Sequence, residues 1–300
     1  MDYSVWIPAN LEWDEIADLS RMADNGPWCG IWFADHYMPN TFSEEIVEGS
    51  VHEAWAILPA IAAITNRVRI GPLVAPTSIH HPALLANRAA SIDHISDGRF
   101  VLGLGAGWQI NEHRAYGFDL EPAGLRVSRF EEGIQIVRSL LDKPRTTFEG
   151  QVFTILDAPC QPAPIQRPLP ILVGTSGPRM LRATAQWAQE WNTWGAPSQA
   201  LVNLEAFSHA CDAVGTDRSS IRCSVQALVY MSEDEEQLAK WRKSVDLERS
   251  IVGTPAEIGA EIARYEDAGF DEFVVFGMSF GATRQSRRDT YDWFAAAVIG

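Results

Sequence analysis

The chain has 300 residues, with 24 lysines and arginines against 39 aspartates and glutamates, so its formal net charge is −15. Hydrophobic residues make up 46% and charged residues 21%, which is typical of a globular protein and excludes a disordered or fibrous chain. The length fits two ordinary domains or one α/β barrel of roughly 250–300 residues. The acidity argues against nucleic acid or an anionic membrane as partner, since both require clustered basic residues.

The cysteines and the N-terminal segment point to a soluble, cytoplasmic protein. The four cysteines lie far apart and form no CxxC motif, which argues against a disulfide scaffold and a zinc site. The first residues contain no basic region followed by an apolar run, so we expect no signal peptide. No apolar stretch approaches the roughly 20 residues that a membrane span requires.

Short apolar runs alternate with amphipathic segments in the first third of the chain. The runs predict strands over residues 3–8, 30–34, 68–74 and 100–104. Helical spacing of apolar residues predicts helices over residues 11–25, 54–65 and 82–95. Pro59 falls inside the second helix, where we expect a kink or a late start.

The alternation loosens after residue 107 and returns near residue 170. We predict a long loop over 108–128, a helix over 129–141, a hairpin over 146–155 and an extended proline-rich connection over 159–170. Further strands are predicted over 170–174, 191–194, 221–230 and 273–276. The accompanying helices are predicted over 178–186, 198–214, from near residue 233, over 255–268 and over 288–298.

About eight strand–helix units of this kind require a parallel sheet, because crossover helices must cover its faces. Eight units close naturally into a (β/α)8 TIM barrel. The competing fold, an open doubly wound sheet with a second domain, needs a linker, and the proline-rich stretch is its candidate. We therefore predict one α/β barrel domain over residues 1–300, with insertion segments after strand 4 at about 108–169.

Polar residues follow several predicted strands, and the carboxyl ends of barrel strands are where active sites form. This concentration favours an enzyme over a binding scaffold. The candidates are Asp35-His36, Thr77-Ser78, His80-His81, Asn111 to His113 and Gly174 to Gly177.

The glycine cluster Gly103-Leu-Gly105-Ala-Gly107-Trp108 first suggests a dinucleotide fingerprint. We reject that interpretation, because Trp108 stands where GxGxxG needs glycine and no helical pattern follows directly. Two interpretations stay open. The small residues give a barrel strand its curvature, or the bare backbone approaches a planar ring and offers N–H groups to it.

The segment VGTSGP combines a strand end, two hydroxyl residues and a helix that starts with Pro178. Free backbone N–H groups with the hydroxyls of Thr175 and Ser176 form an anion site. The alternative is that Ser176 is an ordinary helix N-cap. The two roles, anion site and N-cap, are compatible.

Asp35-His36 is more plausibly a proton-handling pair than a metal site, because further ligands at matched strand ends are missing; we expect no metal. A buried structural histidine stays as an alternative for His36. No serine or cysteine lies in a nucleophile motif such as GxSxG, so hydrolase chemistry has no support.

Several segments in register resemble the bacterial luciferase-like superfamily, and most closely its deazaflavin-dependent branch that uses coenzyme F420. They are GIWFADHYMP, the run from RVRIGPLVAP through FVLGLGAGWQINEHRAYGFDL, RFEEGIQIVRSLL, FEGQVF, RPLPILVGTSGPRML and VGTPAEIGAEIARYEDAGFDEFVVF. The resemblance runs from the first strand to the last helix. Single motifs of this kind are weak, whereas this many in the same order are specific.

The resemblance implies a barrel with an insertion region, a homodimer, and a deazaflavin ring over the carboxyl ends of the strands. It implies that His36 assists hydride or proton transfer and that a cis peptide bond at Leu73-Val74 supports one ring face. The implied cofactor-binding residues are Asp35, Leu73, Val74, Gly105, Ala106, Gly107, Trp108, Asn111, Val173, Gly174, Thr175, Ser176 and Gly177.

The family's sugar-phosphate dehydrogenases have a tryptophan and a glutamate where this chain has Asn40 and Trp108, so we do not expect that activity. Four tryptophans instead suggest a pocket for an apolar or planar small molecule, with core packing as the alternative for each: Trp55, Trp108, Trp191 and Trp194. We thus predict an F420-dependent oxidoreductase. The alternatives are a monooxygenase that uses reduced FMN and a non-catalytic binding barrel.

Overall fold

Strands and helices alternate along the computed structural model, which describes residues 1–276 and 280–300. The strands are β1 Asp2–Trp6, β2 Gly30–Phe33, β3 Arg69–Pro72, β4 Ala75–Pro76, β5 Leu102–Gly105, β6 Thr146–Glu149, β7 Thr154–Ala158, β8 Ile171–Gly174, β9 Glu190–Trp194, β10 Arg222–Met231, β11 Ser250–Gly253 and β12 Glu272–Phe276. The helices are α1 Trp13–Asn25, α2 Ala54–Ile64, α3 Pro82–Ile95, α4 Ile110–Tyr116, α5 Ala123–Asp142, α6 Pro178–Trp187, α7 Pro197–Val214, α8 Glu235–Ser244, α9 Pro255–Ala268 and α10 Arg284–Phe294.

Eight parallel strand positions, here called staves and numbered in chain order, form a closed barrel, which confirms the predicted (β/α)8 fold. The staves follow one another around the barrel in the order β1, β2, β3 with β4, β5, β8, β9, β10 and β12. β12 also pairs with β1. The third stave is interrupted between Pro72 and Ala75, and it joins β5 through the bridge Ile70–Phe100 and the β4 pairing. Helices cover the outside because each parallel connection must cross over the sheet. No helix within the described residues is both long and apolar enough to cross a membrane.

The segment between β5 and β8 is more ordered than predicted. The predicted loop over 108–128 is wrong: it contains α4 and the first turns of α5. α4 has only seven residues and ends at Gly117, which has φ +73°, so it is too short to show an apolar period. The hairpin forms between β6 and β7 as predicted.

Two further boundaries differ from the predicted ones. β11 is a four-residue strand that pairs only with the carboxyl end of β10, and its length gives almost no sequence signal. α10 starts at Arg284 rather than residue 288, because Thr283 and Ser286 form a capping box that offsets the lack of an apolar stripe there.

The barrel interior is filled at its middle and left open at its carboxyl end. The inward-facing residues pack as one cluster, made of Trp6, Trp32, Leu73, Val101, Leu172, Val274 and Phe276. A separate, larger apolar cluster lies between the staves and the helices. The interior cluster forms the floor on which the site at the carboxyl end is built.

The amino end of the barrel is closed by a network of charges. Arg69 forms ion pairs with Glu190 and, at 3.3 Å, with Glu272, while Arg222 lies 3.2 Å from Glu272. The Nε1 atom of Trp32 donates a hydrogen bond of 2.9 Å to Glu272. Glu272 is fully buried, so these partners compensate the cost of removing its charge from water.

Candidate active site

A cleft of about 360 Å³ opens at the carboxyl ends of the barrel strands. It brings together ten of the fourteen site residues predicted from the sequence. These are Asp35, His36, Leu73, Val74, Gly105, Gly107, Trp108, Gly174, Thr175 and Ser176.

The remaining four predicted residues do not line the cleft. Val173 lies in β8 between Leu172 and Gly174, and since strand side chains alternate, it points into the outer core. Asn111 is fully buried: its Nδ2 donates to the carbonyl of Glu45, and its Oδ1 accepts from the Glu112 amide. The backbone beside the cleft also contains Ala106, half-buried against the outer core, and Gly177, the N-cap of α6.

His36 is held by a buried carboxylate. Its Nδ1 donates a hydrogen bond of 2.8 Å to Glu112, whose other oxygen accepts from the Tyr37 amide at 2.9 Å. Glu112 is 1% exposed and belongs to α4, the helix that the sequence pattern did not reveal. Because Nδ1 is occupied, Nε2 is the nitrogen that His36 can offer to a molecule in the cleft.

Asp35 is fixed from behind the cleft. One oxygen, Oδ2, accepts hydrogen bonds of 2.8 Å from Trp55 Nε1 and from His80 Nε2. Arg88 lies 3.4 Å from the other nitrogen of His80, which therefore acts as the acceptor there. The second oxygen of Asp35, Oδ1, is buried and has no hydrogen-bond partner among the described residues. Trp55 thus supports Asp35 and does not line the cleft, contrary to the pocket-lining interpretation.

Val74 projects into the cleft where the third stave is interrupted. The Leu73-Val74 peptide bond is cis, as the resemblance implies. A Cβ atom on Gly105 would lie 2.6 Å from Val74 Cγ2, and one on Gly174 would lie 3.1 Å from Val74 Cγ1. Two neighbouring staves therefore need glycine for Val74 to occupy this position. Glycine is therefore required here by the close approach of Val74, while the approach of a planar ring to this backbone stays a prediction.

Gly107 lies at the end of the same wall, and its backbone conformation is one that favours glycine. Its φ is +89°, and a Cβ there would lie 2.0 Å from Ser78 Oγ. Ser78 is itself held by His113 Nε2 at 2.8 Å, while His113 Nδ1 donates to the Gln109 carbonyl at 2.7 Å. This arrangement fits a neutral imidazole, and burial lowers the pKa of His113.

The opposite wall contains residues that the sequence reasoning missed. They are Asn192, Thr193, Asn203, Gln226 and Arg249. Trp194 lines this wall as expected, whereas Trp191 is fully buried and donates to the Thr175 carbonyl. A signal existed for part of this set, because Asn192 to Trp194 end a barrel strand as the predicted site residues do.

The barrel and the cleft define a class: a TIM-barrel protein with an oriented histidine beside a glycine-walled cleft at the functional end. The chain belongs to the luciferase-like monooxygenase family, whose model matches residues 1–247. This confirms the resemblance seen in the sequence.

Known proteins similar to this chain include dehydrogenases and a monooxygenase. An F420-dependent glucose-6-phosphate dehydrogenase from Kineococcus radiotolerans is 26% identical, over 95% of this chain and 92% of the relative. An F420-dependent secondary alcohol dehydrogenase, solved with an F420-acetone adduct, superposes with a TM-score of 0.83 at 19% identity, over 100% of this chain and 99% of the other. A monooxygenase from Streptomyces bottropensis gives a TM-score of 0.83 at 21% identity, also over 100% and 99%. The two structural similarities establish the shared fold.

Proposed function

We propose that the protein is an F420-dependent oxidoreductase that transfers a hydride between the deazaflavin and a small organic substrate. One observation carries the proposal: Val74 lies over Gly105 and Gly174 in a cleft that also contains a histidine held by a buried carboxylate. Val74 and the glycines around it form a wall against which a planar ring can lie, and His36 supplies a group that can move a proton.

The residues present fit a deazaflavin with a phosphate-bearing tail. Val74, Gly105 and Gly174 line the cleft, and because the two glycines leave room for the Val74 side chain, Val74 would contact the ring. The exposed Ser176 and half-exposed Thr175 precede α6, where a helix amino terminus favours an anion such as the tail phosphate. When bound, the cofactor supplies or accepts the hydride, and the protein supplies orientation and electrostatics.

His36 would hold or release the proton that accompanies hydride transfer at a substrate oxygen. Glu112 fixes the ring orientation and stabilises the positive charge that appears when Nε2 binds a proton. Asp35 cannot readily take this role through Oδ2, which already accepts two hydrogen bonds. We therefore assign Asp35 to positioning and His36 to proton transfer.

The substrate side of the cleft favours a planar or apolar molecule. Trp108 lies in edge contact with His36, with ring centres 5.5 Å apart, and Phe42 packs on Trp108 at 5.1 Å. Trp194 forms part of the opposite wall. Such faces exclude water from the reacting atoms and stack on planar groups. Asn40 and Trp108, the two positions at which the resemblance implies a departure from the sugar-phosphate enzymes, both line this cleft.

The second candidate is a monooxygenase that uses reduced FMN. The family description and the similarity to the Streptomyces bottropensis monooxygenase favour keeping it. The two candidates differ in kind, because a deazaflavin lacks the ring nitrogen that makes attack on oxygen facile.

Titration of the protein with each cofactor separates the two functions. We expect micromolar or tighter binding of oxidised F420, followed by its fluorescence, and much weaker binding of FMN. Tight binding of FMN with none of F420 would overturn the proposed function in favour of the monooxygenase. Binding of neither cofactor, with no turnover across a panel of alcohols, aldehydes and enones, would favour the non-catalytic barrel.

A further inference from the structure

Arg249 stands out among the residues that line the cleft. It follows the loop after α8, directly before β11, and its side chain is half-buried. The Cζ atom of its guanidinium lies 4.7 Å from the ring centre of Trp194 and 5.7 Å from that of Phe42. Two aromatic faces therefore hold the guanidinium in place by cation–π contacts while its edge stays available.

The charge of Arg249 is not neutralised within the described part of the chain. No carboxylate there lies within 4.0 Å of its guanidinium, although acidic residues outnumber basic ones in this protein. Two other arginines near the barrel rim are engaged: Arg114 pairs with Glu44, and Arg179 pairs with Glu131. Among the described cleft residues, Arg249 is the one lysine or arginine.

The position of Arg249 separates it from the glycine wall. β11 pairs with the carboxyl end of β10, and β10 stands diametrically opposite the third stave in the order of the barrel. Val74 lies at the interruption of that third stave, and Gly105 and Gly174 end β5 and β8, which are the fourth and fifth staves. A ring against Val74 would thus leave Arg249 on the far side of the cleft, where a substrate would lie.

A buried acceptor on the same side also lacks a partner. Gln226 Oε1 lines the Arg249 side of the cleft and has no hydrogen-bond partner among the described residues. Buried polar atoms are normally satisfied, so an unpaired one in a cleft points to a ligand that donates a hydrogen bond or brings a water. The far wall thus offers a cation for an anion and an acceptor for a polar group.

We propose that the substrate is a planar organic acid whose carboxylate binds Arg249. This inference rests on the proposed function and names the substrate class of the same cleft. A guanidinium presents paired N–H donors that match the two oxygens of a carboxylate. Trp194 and Trp108 provide the faces against which a planar body packs. In a protein of net charge −15, a local cation is needed to draw an anion into the cleft.

Benzoate and benzamide test this inference, because they share a planar ring and differ in charge. Binding of each is measured by calorimetry, to the protein alone and to the protein saturated with oxidised F420. We expect benzoate to bind about tenfold more tightly than benzamide, as a charge-assisted pair does over a neutral one. In Arg249→Met the ratio of the benzamide Kd to the benzoate Kd should fall to about one, whereas Arg249→Lys should keep part of the preference for benzoate.

Lys243→Met is the matched control, because it removes one positive charge from an exposed position on α8. It should leave the preference for benzoate unchanged. The affinity for F420 should change less than about twofold in Arg249→Met, since the cofactor contacts the opposite wall. Thermal unfolding of each variant verifies that it folds.

Three results would overturn the inference. Benzoate could bind no more tightly than benzamide, Arg249→Met could lose F420 affinity while keeping the preference, or glucose 6-phosphate could bind more tightly than benzoate through Arg249. The second result would place Arg249 at the cofactor tail, and the third would favour a sugar phosphate. A clear preference for benzoate in a protein that binds no F420 would reject the proposed function and leave this anion subsite intact.

Discussion

At the amino end of the barrel, Arg69 and Arg222 meet Glu190 and Glu272, whereas at the carboxyl end Arg249 meets no carboxylate among the described residues. Both ends therefore contain arginine and buried acid. At the amino end each of these charged groups has an oppositely charged partner, and Trp32 adds a hydrogen bond to Glu272, although one oxygen of Glu190, Oε2, has no hydrogen-bond partner among the described residues. At the carboxyl end, a guanidinium, a histidine nitrogen and two buried oxygens are left available.

This difference assigns the amino end of the barrel to stability and the carboxyl end to the proposed function. Charges that are paired within the barrel offer little to a ligand, because an opposite charge already compensates each of them. Unpaired groups cost folding free energy, and a cleft that keeps them does so for a ligand that will pair with them. Substitutions at the two ends should therefore affect different measurements.

The largest effect is expected for His36→Ala at the carboxyl end. Loss of the proton-transferring group should slow turnover about 10²- to 10⁴-fold with the best substrate of a panel, while F420 affinity stays unchanged. His209→Ala, on an exposed histidine of α7, is the control and should keep full activity. Equal activity in His36→Ala and the wild type would assign His36 to structure.

Glu272→Gln tests the amino end. It removes the negative charge that two half-buried arginines share at a fully buried position, so the free energy of unfolding in urea should fall by about 3–5 kcal/mol. F420 affinity should not change. The control Glu236→Gln removes an exposed partner of Lys240 and should cost less than about 1 kcal/mol. A loss of F420 binding in a folded Glu272→Gln protein would break the separation of the two ends.

Gly107→Ala and Gly117→Ala form a matched pair within one loop region. Both glycines have positive φ, so each alanine should cost about 1–2 kcal/mol of stability. The added Cβ at Gly107 collides with Ser78, whereas at Gly117 nothing lies within 4 Å. We therefore expect about tenfold weaker F420 binding for Gly107→Ala alone. Equal affinities would remove this glycine from the cofactor site.

The smallest effect concerns pH. Burial holds the pKa of His113 below the ordinary value of 6.5, so the unfolded chain binds more protons than the folded one as the pH falls below that value. Stability is unaffected above that pH and is lost progressively below it. Urea unfolding at about pH 7.5 and about pH 5.5 should show a smaller loss for His113→Gln than for the wild type. An equal loss would show that His113 does not contribute.

The fold was largely predictable because its signals are local. Strands such as Gly30–Phe33 are continuous apolar runs, and helices such as Pro82–Ile95 start at proline, so eight units could be counted along the chain. α4 and β11 were not predicted, because segments of seven and four residues are too short to show a helical or strand periodicity of apolar residues. Their positions are set by packing on elements that already exist.

The site was predictable on one wall only. The residues from Gly105 to Trp108 and from Gly174 to Ser176 form local motifs, which sequence patterns reveal. Glu112 was among the candidates, but its contact with His36 spans 76 positions in the chain, and Gln226 and Arg249 reach the cleft from β10 and from the residue before β11, so the barrel itself brings them together. The motif includes Val173, but its side chain points away from the cleft because side chains alternate along a strand.

A crystal structure of the protein soaked with oxidised F420 is the most direct measurement, because the cleft at the carboxyl end is proposed as the cofactor site. We expect the deazaflavin ring against Val74 on the side of the cleft that contains Gly105 and Gly174, with its phosphate near Thr175 and Ser176 and with His36 Nε2 facing the reacting edge. Electron density for the ring at any other place on the protein, with this cleft empty, would contradict the assignment of the carboxyl end to function.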